Sequence, residues 1–409
     1  MRTLKQHIKL NKSQYKILLD YSHYSNNLYN YALYVVNEYF KQTGKYIGYI
    51  ELEKQIKSND NYRLLPAQSA QQIIRLVDQN FRSFFVLLKK KGEGKYDDKI
   101  NIPKYKKKGS CFNVIYTFQN SKLLYNSILL HGSHDYKKEI SKDKLEIPFT
   151  YKIEGNIKQI MFKPVQNGKS FRMYINYEEN KKEKYDVNEK KYLGIDLGIN
   201  NLATCFDASS GHSFIMNGKS LKSLNRWYNK KVAEKKSILK RVNNKEWSNY
   251  LNSISIYRNN YIDNYFNQYV SRIIKYCIEN KIGNIVIGYN ETWKNGMNLG
   301  KANNQKFYSI PYLKFKIKLE NKCEESGIKF IFTEESYTSK CSFLDNEKIE
   351  KRKTYVGKRI KRGLFKSAEG KLLNADVNGA ANIVRKVFDD VVYDQSILGL
   401  MFNPVRYNV

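Results

Sequence analysis

YLGIDLGINNLATCFDA (Tyr192–Ala208) reads as a β-strand, a Gly-rich turn and a second strand. HSFIMNGKS (His212–Ser220) continues as a third. The turn is no dinucleotide fingerprint, because GxGxxG is absent. Asp196 stands in the first strand among apolar residues. A buried carboxylate is expensive unless it is paired or holds a metal. Gly194 and Gly198 flank it and leave room for a backbone or a ligand to approach. A structural Asp bonded to turn amides is the other reading of this position.

Two long basic helices follow, over residues 223–242 and 252–282. Next come the strand NIVIG (Asn284–Gly288), a helix over 311–327 and the strand IKFIFTEES (Ile328–Ser336). A basic loop, Lys340–Lys366, leads to the terminal helix NADVNGAANIVRKVFDD (Asn374–Asp390). Three strands, then helix, strand, helix, strand and helix, is the order of an RNase H-like α/β sheet covered by helices.

The N-terminal half has a different grammar. MRTLKQHIKLN alternates like a strand, and residues 13–43 have helical spacing with Ser13 as a cap. A second amphipathic helix begins after Pro66 and ends in a Lys run. Strand-like runs over 112–119, 145–153, 157–165 and 171–179 then suggest an antiparallel β unit split by the helical block. Asp186–Lys191 reads as a charged linker.

Composition limits the partners. The 409 residues carry 72 Lys+Arg against 39 Asp+Glu, a net charge of +33, which calls for a polyanion. The 34 Tyr and 20 Phe interleaved with those cations suit phosphates and unstacked bases. No apolar run is long enough to span a bilayer, and the N-terminus has no signal-peptide pattern. The five cysteines are scattered without a CxxC pair, which points to a reducing, cytoplasmic setting and argues against a Cys/His zinc site.

Asp376, in NADVNGAANI (Asn374–Ile383), falls in the first turn of the terminal helix, where helix capping alone is a sufficient reason for an acid. Its neighbours Asn374, Asn378 and Asn382 sit among Ala375, Gly379, Ala380 and Ala381, small enough for close packing on a sheet. Two such acids, on a strand and a helix, fit a divalent-metal site of hard oxygen ligands. A two-metal site needs about three or four carboxylates, so two are not enough.

At these residues the chain resembles a family. GIDLGINNLAT looks like the first RuvC motif of the transposon-encoded TnpB (OrfB) proteins, relatives of type V CRISPR effectors. NADVNGAANI is similar to the family's third motif, and ESYTSKCSFLD (Glu335–Asp345) resembles the segment that opens its zinc ribbon. The resemblance covers Tyr192–Lys386, whereas the N-terminal half matches in layout alone. It implies an RuvC-like nuclease domain at 187–388, with a β wedge (OB-like barrel) at 1–12 and 100–186, a helical recognition lobe at 13–99 and a tail at 389–409. It also implies guide RNA from the transposon end, two Mg²⁺ ions (or Mn²⁺), and double-stranded target DNA beside a short motif read by protein while pairing reads the rest.

This sequence departs from the pattern twice. Only Cys341 remains of the zinc ribbon's paired cysteines, and GKRIKRGLFKS (Gly357–Ser367) replaces the second pair. No zinc is therefore expected. The insertion 340–366 carries ten Lys/Arg against three acids, which suits a phosphate-contacting flap that uses Lys358, Arg359, Lys361 and Arg362. A solvated loop is the plainer reading.

The second departure concerns catalysis. The family's middle motif ends its strand in Glu, and in IGNIVIGYNETWK (Ile282–Lys294) that place is Gly288. Glu291 lies in the loop beyond. FIFTEESYTS (Phe330–Ser339) offers Glu334 and Glu335 at the exit of the adjacent strand, about 4.8 Å away in a sheet. The two alternate in direction, so one of them faces the metals. Glu335, nearer the exit, is the candidate to complete a catalytic, metal-holding set with Asp196 and Asp376. Trp293 and Lys294, past Gly288, are candidates to stack on and neutralise a nucleic-acid strand, or merely pack their loop. The rival expectation is a nuclease-inactive, RNA-guided DNA-binding protein, repressor-like, or an accessory transposition protein.

Overall fold

A computed structural model describes residues 1–149, 151, 153–179, 185–288, 310–389, 391, 401 and 403–408. The chain divides into two compact units, Met1–Lys182 and Glu183–Val409.

The first unit begins with strand β1 (Arg2–His7) and helix α1 (Lys12–Thr43). Asn11, rather than Ser13, caps α1: its side chain accepts from the Gln14 amide while the Gln14 side chain accepts from the Asn11 amide. Gly44, at φ +68°, ends the helix in a left-handed turn. Short helices α2 (Tyr49–Ile56) and α3 (Asp60–Arg63) lead to α4 (Ala67–Gly92). Ile73, Ile74, Val77 and Phe81 of α4 share one buried face, and Lys89–Lys91 sit where a helix C-terminus favours cations.

The strands of this unit form two separate sheets. β2 (Val114–Thr117), β6 (Gly155–Val165) and β7 (Ser170–Glu179) join β1 in the order β1-β7-β6-β2. β3 (Ser121–Leu123), β4 (Ser127–Leu130) and β5 (Leu145–Pro148) form the second, with the short helix α5 (His134–Glu139) between β4 and β5. The expected OB-like barrel is therefore not closed among the described residues. A capping turn at Thr117–Asn120 diverts the chain after β2 into the second sheet.

The second unit holds a six-stranded sheet ordered β12-β11-β8-β9-β10-β16. Its strands are β8 (Asn188–Leu197), β9 (Asn201–Asp207), β10 (Ser213–Asn217), β11 (Ile282–Gly288), β12 (Lys329–Thr333) and β16 (Val405–Tyr407). β8, β9 and β10 are antiparallel in turn, whereas β11 runs parallel to β8 and β12 parallel to β11. This is the RNase H-like arrangement. Two details differ from the sequence reading. β8 begins inside the supposed linker, and β16, assigned to the tail, pairs in parallel with β10.

The helices are α6 (Lys219–Asn243), α7 (Asn249–Glu279), α8 (Tyr312–Ser326) and α9 (Ala375–Arg385). The two-residue period of β8 sorts its side chains between faces. Leu193, Ile195 and Leu197 join the core built with α7 and α8. Tyr192 belongs to the opposite core, with Ala380, Ala381 and Val384 of α9. Gly194 and Asp196 thus face α9. A Cβ at Gly194 would stand 2.3 Å from the Ala380 carbonyl oxygen, so only Gly allows α9 this close. That obstacle is backbone, and Gly194→Ala is expected to lower stability by about 3 kcal/mol, as seen by denaturant unfolding.

The basic insertion is more ordered than a loop. β13 (Lys358–Lys361) and β14 (Leu364–Lys366) form a hairpin that turns at Gly363, φ +81°, and β15 (Leu372–Asn374) adds a third strand before α9. Among the described residues, no helix is long and apolar enough to cross a membrane.

Candidate active site

Strand order sets Asp196 and the Glu335 loop on the face that α9 covers, and the first turn of α9 brings Asp376 to it. Asp196 lies in β8, paired across β9 with the buried Thr204. The turn after it is tied down by the Tyr312 hydroxyl, which donates to the Gly198 carbonyl at 2.9 Å. Asp196 Oδ2 stands 3.0 Å from where a Cβ on residue 379 of α9 would be. Burial pushes the Asp196 carboxyl well above the usual carboxylate range. The charges of Glu335 and Asp376 push it the same way, and Arg359 opposes them. Asp196 is thus coupled to acids on both sides.

On the β11 side stands Glu335. β11 and β12 pair in register, Gly288 opposite Thr333, so Glu335 emerges two residues beyond the strand that neighbours Gly288. Its Oε2 is 3.1 Å, and its own Cβ 3.2 Å, from the place a Cβ at residue 288 would occupy. Any larger side chain there would press on Glu335. The Oε2 atom is buried and has no hydrogen-bond partner. Burial is the main reason the Glu335 carboxyl is pushed up to about 7; Glu334 adds to the shift and Lys386 opposes it.

Glu334 faces the other way. It is exposed, accepts from Ser336 Oγ, and pairs with Lys386 Nζ at 2.9 Å. Those hydrogen bonds hold its carboxyl below the usual range.

The Asn residues of α9 explain how Glu335 is held. Asn382 Nδ2 donates to the carbonyls of Thr338 and Cys341, at 2.9 and 2.8 Å. Asn378 donates to the Cys341 carbonyl and accepts from the Phe343 amide. Thr338 Oγ1 in turn donates to the Glu335 carbonyl at 2.8 Å. The helix therefore clamps the loop that carries Glu335. Cys341 is buried, with its Sγ donating to the Lys348 carbonyl.

On the β9 side stands Asp376, in the first turn of α9, where Asn374 accepts from the amides of Asp376 and Val377. Both carboxylate oxygens of Asp376 are engaged. Arg359 Nη2, from β13, meets Oδ1 at 3.1 Å, and Asn201 Nδ2 donates to Oδ2 at 2.6 Å. A cavity of about 390 Å³ opens here, lined by Asp196 and Asp376 together with Lys219, Arg359, Arg362 and Arg406. Lys358 and Lys361 are exposed on the same hairpin. Trp293, Lys294 and Glu291 lie outside the described residues. Asn201, Lys219 and Arg406 escaped the sequence reading, although Asn201 belongs to the quoted turn GINNLAT.

A divalent cation suits this setting. Asp196 carries unfavourable charge from two acids, Glu335 keeps an orphaned buried oxygen, and Arg359 stands against Asp376 as a cation. As they stand, no three His, Cys, Asp or Glu side chains among the described residues form a ready chelating group.

The raised Glu335 carboxyl has a consequence for stability. Its value in the unfolded chain is near 4.5 and in the folded protein about 7. The folded state then binds the proton more tightly, and the stability this confers is full below pH 4.5 and lost as pH rises through 7. In EDTA, the melting temperature of the native protein is expected to fall between pH 5 and pH 8 relative to Glu335→Gln. Scanning calorimetry across that range checks it, and parallel curves would contradict it.

Two segments of the chain match known protein families. Residues 174–294 match the family described as OrfB_IS605, probable transposase, and residues 312–383 match the Cas12f1-like TNB domain. The two segments include Asp196, Glu335 and Asp376. The TnpB-like protein ORF457 of Acidianus two-tailed virus is 25% identical over 405 residues, covering 90% of this chain and 82% of the viral protein. Among solved structures, that of a Cas12f1–sgRNA–target DNA complex is similar at TM-score 0.57 and 17% identity, covering 91% of this chain and 83% of that one. The latter likeness speaks for the fold alone. With both segments matched in order, a viral TnpB-like protein similar along most of its length and the fold in common, the chain is similar to the TnpB (OrfB) proteins, and its residues 312–383 to the Cas12f1-like TNB domain.

Proposed function

We propose that this protein is an RNA-guided DNA endonuclease in which Glu335 replaces the acid missing at Gly288. The observation that carries the reading is the orphaned Glu335 carboxylate oxygen over Gly288, beside an Asp196 that feels both Glu335 and Asp376. Asp196, Glu335 and Asp376 would hold two Mg²⁺ ions, or Mn²⁺. Bound there, such ions activate water and stabilise the leaving oxygen of a phosphodiester.

The chain's own residues do the rest. Asp196 and Glu335, whose carboxyls burial raises, would hold the ions as carboxylates. Arg359 leaves Asp376 Oδ1 and turns to the phosphate, a bidentate partner for its guanidinium. Arg362, Lys358 and Lys361 neutralise the neighbouring backbone. In this reading the guide is RNA from the transposon end, the substrate is double-stranded DNA next to a short motif, and Trp293 and Lys294 contact the strands.

The similar Cas12f1 structure is of a complex with sgRNA and target DNA, which favours both partners. A specific observation favours the nuclease-inactive binder: Asp376 is already satisfied by Arg359 and Asn201. Purification with co-expressed transposon-end RNA, followed by incubation with matched DNA and Mg²⁺, separates the two. Cleavage supports the nuclease, and guided binding without cleavage at any divalent concentration supports the binder.

A further inference from the structure

β16, in the segment the sequence reading leaves as a tail, places a residue in the site. Its register sets Arg406 beside Ile215 of β10. The strand is anchored on both sides: Tyr269 Oη donates to the Tyr407 carbonyl at 2.9 Å, Arg272 lies 4.3 Å over the Tyr407 ring, and Asn217 donates to Asn408 at 2.7 Å. Arg406 lines the 390 Å³ cavity and donates from Nη1 to Asn201 Oδ1 at 3.3 Å.

Asn201 has a donor end and an acceptor end, and an amide can turn to present either. Facing a carboxylate, only the donor end is attractive. Arg406 has donors alone, so of the two ends of the Asn201 amide it can pair only with the oxygen. That contact commits the Nδ2 group to Asp376 Oδ2. We propose that Arg406 is a positioning residue: through Asn201 it fixes Oδ2 of Asp376, so that Oδ1 becomes the oxygen presented to a divalent ion once Arg359 moves away.

The two arms on Asp376 differ in the way this role needs. Arg359 is a half-exposed side chain on a hairpin, held to Asp376 by one ion pair. Asn201 opens β9, inside the sheet, and is braced from a second strand. An outer partner that orients a metal ligand typically contributes 10–100-fold in affinity.

The inference rests on the proposed metal site, so the test reads it with and without metal. Mn²⁺ affinity is measured by the EPR signal of the free ion for native protein, Arg406→Ala, Asn201→Ala and the double variant. Each single change is expected to weaken binding by about tenfold or more, and the double no further than the stronger single. Arg406→Lys, which restores a donor, is expected to recover part of the loss. Arg406→Met keeps the aliphatic stem without a donor and carries the test should Arg406→Ala not fold.

In metal-free protein, Arg406→Ala is expected to lower the melting temperature when Asn201 is present and not in the Asn201→Ala background. Additive effects, or unchanged Mn²⁺ affinity in Arg406→Ala, would overturn the proposal. If native protein binds no Mn²⁺, the metal reading fails by itself, and the metal-free cycle decides the role of Arg406: coupling supports it and additivity overturns it.

Discussion

Glu335→Gln is expected to lower Mg²⁺-dependent cleavage of matched DNA by about a thousandfold or more, while guided DNA binding stays within a few-fold of native. The size follows from removing one anionic ligand of a site that supplies several kcal/mol of charge stabilisation, at about 1.4 kcal/mol per tenfold. The substitution keeps shape and removes charge, so packing over Gly288 survives. Without metal, the variant loses a buried carboxylate that has no hydrogen-bond partner at Oε2, and its folded state is favoured above pH 7. A mutant that is better folded and yet dead separates a catalytic defect from a structural one. The control is Glu334→Gln. Its carboxylate is exposed and paired with Lys386, so cleavage is expected to change less than threefold. Loss of cleavage in Glu334→Gln with retention in Glu335→Gln would reverse the assignment. Single-turnover cleavage rates at saturating Mg²⁺ read both.

Asp196→Ala has the second large effect. Asp196 is coupled to both of the other acids, so on the proposed reading its loss would remove the central ligand of the set. Cleavage is expected to vanish, below about one part in ten thousand of native, whereas guide RNA binding is unchanged in a filter-binding assay. Removing the acid also removes a carboxyl whose charged form burial and its acidic neighbours disfavour, so the metal-free variant is expected to be no less stable than native protein. Retained cleavage would remove Asp196 from the mechanism. Native protein that binds guided targets without cutting would instead favour the inactive reading, and Asp196→Ala would then change nothing.

The sequence carried the RNase H-like core because its signals are local. Alternation in β8 puts Leu193, Ile195 and Leu197 on one face and Asp196 on the other, and the small residues of α9 announce close packing. The neighbouring strand exits, Gly288 and Thr333, follow from the parallel order of the fold, which made Glu335 legible as an acid near Gly288. What was illegible has no local pattern. Arg406 meets Asn201 across 205 positions of sequence, and a three-residue edge strand is too short for any periodicity. The hairpin β13–β14 hides in a basic stretch, where charge reads as solvated loop. Among the described residues the barrel expected of the N-terminal half is not closed: after the capping turn at Thr117–Asn120 the chain enters a second sheet, an effect on strand pairing that only tertiary structure reveals. Asn378 and Asn382 read as part of a polar cluster near Asp376, and their bonds show them to be clamps on the Glu335 loop.

The most direct measurement is the position of Mn²⁺, located by anomalous scattering in crystals of the guide-bound protein. The account predicts two ions on the α9 face of the sheet, about 3.5–4 Å apart, one held by Asp196 and Glu335 and the other by Asp196 and Asp376. Ions coordinated by Asp196 and Asp376 with Glu335 turned away, or with Glu291 in its place, would contradict it.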